Sequence, residues 1–227
     1  MRPRGVSGNA QARNRLVERH PRGEFGRKFG LLAGQAEARP QCSGIGHRGA
    51  LGIADHMQQL TARVCELEDE RAIRELKARY LRACDLKDVD AVRDALLPQG
   101  AIIAFEGFPV FDDREPFVAV YREMGCAPGI YDIHHGANGE IAFDGPDAAR
   151  GRWSLLFHNI NLAARTLTQM GVEYDDRYVR RDGRWWIAET RSRRTSFLSV
   201  AVGPAGEQRV QAMGDAPPVY STEPATA

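Results

Sequence analysis

Apolar residues return at helical spacing in the first patterned part of the chain. From about Met57 they recur three or four positions apart, first at Leu60, Val64 and Leu67, and then at Ile73, Leu76 and Tyr80. Positions three or four apart lie on one face of an α-helix, so this spacing predicts a long first helix that continues through Ala83. Asp88 is a suitable N-cap for a second helix, which ends at Pro98.

The later pattern predicts a short strand, a third helix and then a sheet. Residues 101–105 form an apolar stretch of strand length, and Asp112 or Asp113 can cap a helix with Pro116 in its first turn. The remainder alternates as strands do, in four segments: 130–143, 148–162, 166–180 and 184–197. Gly-containing turns, Asp144-Gly145-Pro146-Asp147 and Arg181-Asp182-Gly183, follow the first and the third of them. Helices followed by consecutive strands are typical of an α+β fold, with the helices packed on one face of a curved antiparallel sheet.

The two ends of the chain differ from this central part. Residues 1–50 contain ten basic and three acidic residues, a net charge of +7, and the other residues carry a net charge of −6. Such a segment buries little apolar surface, so we expect residues 1–55 to be a basic, disordered extension. It could be a basic arm for an anionic surface, or it could have no function. We expect one domain over residues 56–202 and a flexible, Pro-, Ala- and Gly-rich tail over residues 203–227.

The composition of the whole chain narrows the function classes. A formal net charge of +1 argues against nucleic acid as a partner, and no apolar run approaches the ~20 residues of a membrane-spanning helix. The four cysteines lie far apart without metal-ligand spacing, and no export signal precedes them. We therefore expect reduced thiols, a cytoplasmic protein, no membrane partner and no bound metal.

Asp85 is the first candidate for chemistry. It ends the first long helix within the largely apolar run Tyr80-Leu81-Arg82-Ala83-Cys84-Asp85-Leu86. If its side chain points inward, loss of hydration disfavours the charged carboxylate unless a cation lies nearby. The alternative is an exposed carboxylate in the turn before Lys87.

A histidine pair within a predicted strand is the second candidate. Adjacent strand residues point to opposite faces of a sheet, so His134 and His135 cannot both enter one cavity. His134 shares its face with Asp132 and Asn138, which suits a polar site, although a single strand histidine can equally be structural. Two adjacent histidines without a third ligand at a suitable spacing do not indicate a metal site.

Three segments of the chain resemble SnoaL-like proteins of the nuclear transport factor 2-like superfamily: the helix from Glu70-Arg71-Ala72-Ile73 to Asp85, the strand His134-His135-Gly136-Ala137-Asn138, and the hairpin from Tyr174 to Trp185. The resemblance covers about residues 65–200. It is nearest to the branch that contains hexachlorocyclohexane dehydrochlorinase, scytalone dehydratase and bile-acid dehydratase. It implies a cone-shaped α+β domain with about three helices over the concave face of the sheet. It also implies a small-molecule substrate, no cofactor, and a homo-oligomer, a dimer or trimer closed by strand faces.

The resemblance also assigns roles to residues. In that branch a helix-end Asp and a strand His form a catalytic dyad, and these positions fall on Asp85 and His134. His134 would remove a proton from a substrate carbon, while Asp85 orients the imidazole and stabilises its charged form. Tyr80 stands where bile-acid dehydratase has a Tyr, and it could donate a hydrogen bond to a leaving hydroxyl or a carbonyl oxygen.

The strands after the histidine pair supply the remaining pocket residues that the resemblance implies: Leu155, Phe157, Tyr174 and Asp176. The arginine that assists the dyad of the dehydrochlorinase falls on Thr190, which argues against halide elimination. Arg194 could supply a cation instead, and His158, on the strand face opposite Phe157, is a weaker candidate for substrate contact.

The resemblance therefore favours a cofactor-free lyase of the dehydratase type. Its substrate would be small and largely apolar, such as a polyketide, a steroid or an aromatic-derived molecule. An isomerase that uses the same base would look the same in sequence. A non-catalytic small-molecule-binding or oligomerisation module is the alternative from another class.

Overall fold

One long helix, two short helices and a six-stranded sheet make up residues 52–214, the part of the chain that the computed structural model describes. The helices are α1 (Ile53–Leu86), α2 (Val89–Ala95) and α3 (Arg114–Val120), and a π-helical turn, Tyr121–Gly125, extends α3. The strands are β1 (Ile102–Phe105), β2 (Ile130–Gly145), β3 (Ala148–Asn161), β4 (Thr166–Arg181), β5 (Arg184–Val202) and β6 (Gln208–Gly214). The predictions for residues 1–51 and 215–227 lie outside the described residues.

Polar caps and one left-handed residue set the ends of the helices. The Asp88 side chain accepts a hydrogen bond from the backbone N–H of Ala91 at 2.9 Å and begins α2, as the sequence pattern predicts. Asp113, rather than Asp112, begins α3. Lys87 adopts a φ of 59° and ends α1, which places Asp85 in the last turn of that helix.

The predicted α+β architecture is confirmed, and the curved sheet proves to be mixed. Its strands pair in the order β1-β5-β4-β3-β2, with β1 parallel to β5 and the other neighbours antiparallel. β1 has only four residues, and so short an apolar stretch carries no signal for the direction of its partner. The sequence therefore could not show that β1 pairs parallel with β5.

β6 lies in the segment that the composition assigns to a flexible tail. It pairs antiparallel with β5, from Val202 opposite Gln208 to Phe197 opposite Gly214. Six of its seven residues are exposed, so no buried face imposes an alternation that the sequence could show. For residues 208–214 the prediction of a loose tail is wrong.

The hydrophobic core lies between the helices and the inner face of the sheet. The C-terminal half of α1 contributes Ile73, Leu76, Tyr80 and Leu81, all buried, and the facing strands contribute side chains such as Leu155, Val172, Tyr174, Tyr178 and Ile187. The outer face of the sheet carries the alternate residues. It is apolar at one end, where Tyr131, Ile133, Leu156 and Ile160 are exposed, and charged at the other.

The N-terminal half of α1 does not join this core. Leu60, Val64 and Leu67, which the helical spacing groups with Ile73 and Leu76, are exposed. Nine residues are two and a half helical turns, so Val64 and Ile73 point to opposite sides of the helix. The apolar residues of α1 thus form two separate faces rather than one.

Candidate active site

The C-terminal end of α1 positions the carboxylate of Asp85. Lys87 ends the helix two residues later, and the hydroxyl of Tyr121, in the π-helical turn, donates to the carbonyl oxygen of Cys84 at 2.9 Å. Carbonyl groups left without helical partners make the C-terminus of a helix electronegative. A positive charge that forms beside Asp85 is therefore stabilised by the carboxylate and by the helix end together.

His134 and Asp85 are in direct contact. Asp85 Oδ1 lies 2.7 Å from His134 Nδ1, and it also accepts the backbone N–H of His134 at 2.9 Å. With a carboxylate as its partner, Nδ1 is assigned the hydrogen, which leaves the lone pair of the neutral ring on Nε2. The two side chains are 16% and 29% exposed, so the pair is shielded from bulk water but remains accessible. The structure brings together the two residues that the resemblance assigns to a dyad.

An aromatic ring and a neutralised carboxylate border this dyad. Phe157 is the cross-strand partner of His134, and the two rings pack edge to face with their centroids 4.9 Å apart. Asp132, on the same strand as His134, forms an ion pair with Lys87 and accepts a hydrogen bond from Asn159 Nδ2 at 2.6 Å. These contacts occupy the Asp132 carboxylate, so it does not compete for the imidazole.

His135 and Asn138 point to the outer face of the sheet. His135 is exposed, as strand alternation predicts for the residue after His134. Asn138 has a φ of 50° at a β-bulge in β2, and its side-chain amide donates to Ser154 Oγ at 3.2 Å. The bulge reverses the alternation, and the prediction that Asn138 shares the face of His134 is therefore wrong.

Tyr80 is buried five residues before Asp85 on the same helix. Its side chain is almost completely buried, and burial raises the pKa of Tyr80 far above its usual value. Burial also raises the pKa of the Cys84 thiol to about 12. Both groups therefore stay protonated at neutral pH, and Tyr80 is suited to donate a hydrogen bond rather than to act as a base.

A second polar group lies deeper between α1 and the sheet. Lys77 Nζ is 2.8 Å from Asp176 Oδ2, and both side chains are fully buried. The Tyr178 hydroxyl donates to the same oxygen at 2.7 Å, and Trp153 Nε1 donates to Tyr178 at 3.0 Å. We call these four residues the lysine cluster. The ring of Tyr174 covers it, with Nζ 3.8 Å from the ring centroid.

Leu155, Thr190 and Arg194 complete the predicted pocket set. Leu155 is buried on β3, between the dyad end of the strand and the lysine cluster. Thr190 is fully buried as the cross-strand partner of Asp176. Arg194 has a carboxylate partner in Glu106, which accepts its backbone N–H at 2.7 Å and lies 3.5 Å from its guanidinium. Of the predicted site residues, Phe157 contacts the dyad of Asp85 and His134, Tyr174 and Thr190 adjoin the lysine cluster through Lys77 and Asp176, and Arg194 pairs with Glu106.

The outer face of the sheet offers grooves of a different character. One groove, of about 630 Å³, is lined mainly by charged side chains, among them Arg152, Asp175, Arg177 and Glu189. Arg152 and Asp175 pair across strands at 3.2 Å and are well exposed, and Arg177 pairs with the less exposed Glu189 at 3.2 Å. His158 also points to this face, 3.5 Å from the Gln169 amide. The grooves therefore present a solvated, charge-balanced surface, separate from the dyad.

Residues 52–214 contain neither a set of clustered metal ligands nor a membrane-spanning helix. No group of three or more His, Cys, Asp or Glu side chains in that range is arranged to hold a metal ion. None of the helices in it is long and apolar enough to span a membrane. Cys84 and Cys126 are free thiols, whereas Cys65 is disulfide-bonded, so the expectation of four reduced cysteines is wrong for Cys65.

A family comparison covers the part of the chain that contains Asp85 and His134. A model of the SnoaL-like domain matches residues 65–191, which is more than half of the chain. The chain belongs to the SnoaL-like family. The matched SnoaL-like region contains most of α1, including Asp85, and all of β2, β3 and β4.

Solved structures share the fold of this SnoaL-like chain. A hexachlorocyclohexane dehydrochlorinase from Novosphingobium barchaimii is 20% identical, with a TM-score of 0.54 over 60% of this chain and 92% of that protein. A scytalone dehydratase-like protein from Novosphingobium aromaticivorans is 18% identical, with a TM-score of 0.55 over 67% of this chain and 96% of its own. A nuclear transport factor 2-like protein with a cystatin-like fold, from the latter organism, is 20% identical, with a TM-score of 0.51 over 63% and 90%.

The SnoaL-like site contains residues that sequence reasoning did not select. Lys77 follows Ile73 by four positions and precedes Leu81 by four, so helical spacing alone places it on the buried face. The hydrogen bond from Tyr121 to the end of α1 depends on the π-helical turn. Lys87 forms its ion pair with Asp132 on β2, and no local sequence pattern predicts this contact.

Proposed function

We propose that the chain is a cofactor-free lyase of the dehydratase type, in which His134 is the base and Asp85 its positioning residue. The observation that carries this proposal is the double acceptance by Asp85 Oδ1, from the ring and from the backbone of His134. Two bonds to one residue fix both the tautomer and the orientation of the imidazole. A histidine held in this way is suited to general-base catalysis.

The proposed reaction removes water from a substrate that carries a hydroxyl next to an acidic C–H bond. Nε2 of His134 takes the proton, the C–H electron pair becomes the second bond of the alkene, and the C–O bond breaks with its electron pair on oxygen. The leaving hydroxyl needs one proton to depart as water, and the imidazolium can return it. Tyr80, protonated at neutral pH, can stabilise the departing oxygen by a hydrogen bond.

Two groups can stabilise the positive charge that the imidazole of His134 acquires during proton transfer. The imidazolium would face the Asp85 carboxylate at 2.7 Å and the electronegative C-terminus of α1. Both groups are in position before the reaction, so little reorganisation accompanies it. This supports catalysis over a non-catalytic binding module, for which we would expect a separated pair.

The walls around the dyad favour a small, largely apolar substrate. Phe157 packs against His134, and Leu155 and Tyr174 continue the inner face of the sheet towards the lysine cluster. An oxygen-bearing polyketide, steroid or aromatic-derived molecule fits this chemistry. Thr190, at the position of the arginine in the dehydrochlorinase, and the Glu106 partner of Arg194 both argue against halide elimination.

The experiment that tests the proposal starts from a ligand screen. Hydroxylated apolar compounds that raise the melting temperature of the Asp85→Asn variant are incubated with the parent protein in D₂O. A dehydratase forms a product lighter by one water, with a new alkene absorbance. An isomerase forms a product of unchanged formula that has incorporated deuterium, and a binding module changes neither. Loss of water that persists in His134→Ala would overturn the assignment of the base.

A further inference from the structure

An apolar stripe runs along the exposed N-terminal half of α1. It consists of Ile53, Met57, Leu60, Val64 and Leu67, which are 87%, 56%, 41%, 53% and 65% exposed. Their spacing is four, three, four and three residues, which is the heptad repeat of a coiled coil. Five large apolar side chains in a row on one helix face are typical of an interface rather than of a solvated surface.

The stripe faces away from the domain. Val64 and Leu67 precede the buried residues Ile73 and Leu76 by nine positions each, and nine residues are two and a half turns of helix. The core of the domain therefore lies on the side of α1 opposite to the stripe. Within residues 52–214, neither the sheet nor another helix packs on the side of α1 that carries the stripe.

We propose that the stripe, rather than the strand faces that the resemblance implies, pairs with the stripe of a second copy of this chain, as a parallel two-stranded coiled coil. In the heptad register Met57 and Val64 occupy a positions, and Ile53, Leu60 and Leu67 occupy d positions. Val64, a β-branched residue at a, lies between leucines at the d positions Leu60 and Leu67, and this combination favours two strands.

Charges beside the stripe select a parallel arrangement. Arg63 takes a g position, and Glu68, five residues later, takes the following e position. In a parallel dimer a g residue faces the e residue five positions further along the partner helix. Arg63 of each copy would thus face Glu68 of the other, so that two opposite-charge pairs flank the seam.

The helix is already formed before the copies meet. A coiled coil of about two heptads is marginal for separate peptides because each helix has to be nucleated. Here residues 69–86 of the same helix are held by packing on the sheet, and the stripe is their direct continuation. Association therefore has to overcome the cost of docking, not the cost of helix formation.

The test uses the full chain and its mass in solution. At micromolar concentration we expect sedimentation equilibrium to give twice the monomer mass of 25.2 kDa. The double variant Leu60→Glu/Leu67→Glu should raise the dimer dissociation constant at least about thirtyfold, because it places charges in the seam. Ala62→Glu, an exposed position on the opposite side of the same helix, is the matched control and should leave the dimer intact. Circular dichroism should show all variants folded, since none of these side chains contributes to the core.

Two further variants test the direction of pairing. Arg63→Glu and Glu68→Arg should each weaken the dimer, and the two together should restore it. Leu60→Cys should form a covalent dimer on mild oxidation above the level of the parent, and Ala62→Cys should not. A monomeric parent would overturn the proposal. An assembly that ignores the stripe variants and dissociates with Ile133→Glu/Leu156→Glu would also overturn it, because the copies would then meet through the outer face of the sheet.

Discussion

Asp85 Oδ1 accepts two hydrogen bonds from His134, one from the ring at 2.7 Å and one from the backbone at 2.9 Å. The backbone bond ties β2 to the end of α1 independently of the ring. The ring bond then fixes which nitrogen of the imidazole carries the hydrogen. The two hydrogen bonds and the negative charge of residue 85 can therefore be tested separately, because a substitution that removes the charge can leave both bonds in place.

The Asp85→Asn variant exploits this separation. The amide oxygen of asparagine can still accept from the backbone and ring N–H groups, but it offers no negative charge to an imidazolium. We expect kcat to fall by about 10²-fold or more with little change in KM, since the lost interaction forms in the transition state. A thermal unfolding midpoint close to that of the parent would show that the pair still holds the fold. A variant with parental kcat would contradict the role of Asp85.

Tyr80→Phe tests the hydrogen bond to the departing oxygen. Phenylalanine keeps the ring in the core and removes only the hydroxyl, which is buried beside Cys84. We expect kcat to fall about tenfold to a hundredfold while substrate affinity changes less, as for other single donors to a developing charge. Steady-state kinetics separates the two constants. An increase in KM alone would instead assign Tyr80 to binding.

The Lys77–Asp176 pair predicts a large stability effect. Replacing Lys77 by methionine leaves Asp176 buried without its partner, and breaking a buried ion pair in this way costs about 3–5 kcal/mol. Urea unfolding measures the change. Arg152→Met is the matched control, because its pair with Asp175 is mostly exposed and should contribute less than about 1 kcal/mol. A Lys77→Met protein as stable as the parent would show that the pair is dispensable.

Alkaline pH should destabilise the fold. Burial raises the pKa of Cys84 from 9.0 to about 12, and it raises the pKa of Tyr80 as well. Between pH 9 and 12 the unfolded chain has released the Cys84 proton while the folded chain retains it, so the free energy of unfolding falls as pH rises. Urea midpoints at about pH 8 and about pH 10.5 measure this slope, which Cys84→Ala should reduce. A midpoint that does not fall above pH 9 would contradict it.

Local patterns were sufficient to predict elements whose buried face is continuous. Asp88 and the pair Asp112-Asp113 indicate helix starts because aspartate is a suitable N-cap, and the alternation from β2 to β5 predicts a sheet. Adjacent strand residues point to opposite faces by geometry, so His134 could be separated from His135 without a structure.

Other features depend on contacts between distant residues. The bulge that turns Asn138 outward leaves no mark in the sequence apart from a following glycine, Gly139. The pairing of Lys77 with Asp176 joins positions about a hundred residues apart. The exposed stripe on α1 has the same helical spacing as the core face. The sequence therefore does not show that only the part of α1 that packs on the sheet, from Ile73 onward, contributes apolar residues to the core.

The measurement that tests the central claim most directly is the rate of water elimination in paired histidine variants. His134→Ala should lower kcat by about 10²–10⁴-fold, because the general base is lost. His135→Ala changes the neighbouring residue on the outer face and should retain kcat within about threefold of the parent. Stopped-flow absorbance of the new alkene gives both rates under the same conditions. An essential His135 with a dispensable His134 would contradict the assignment of the base and of the face of β2 on which catalysis occurs.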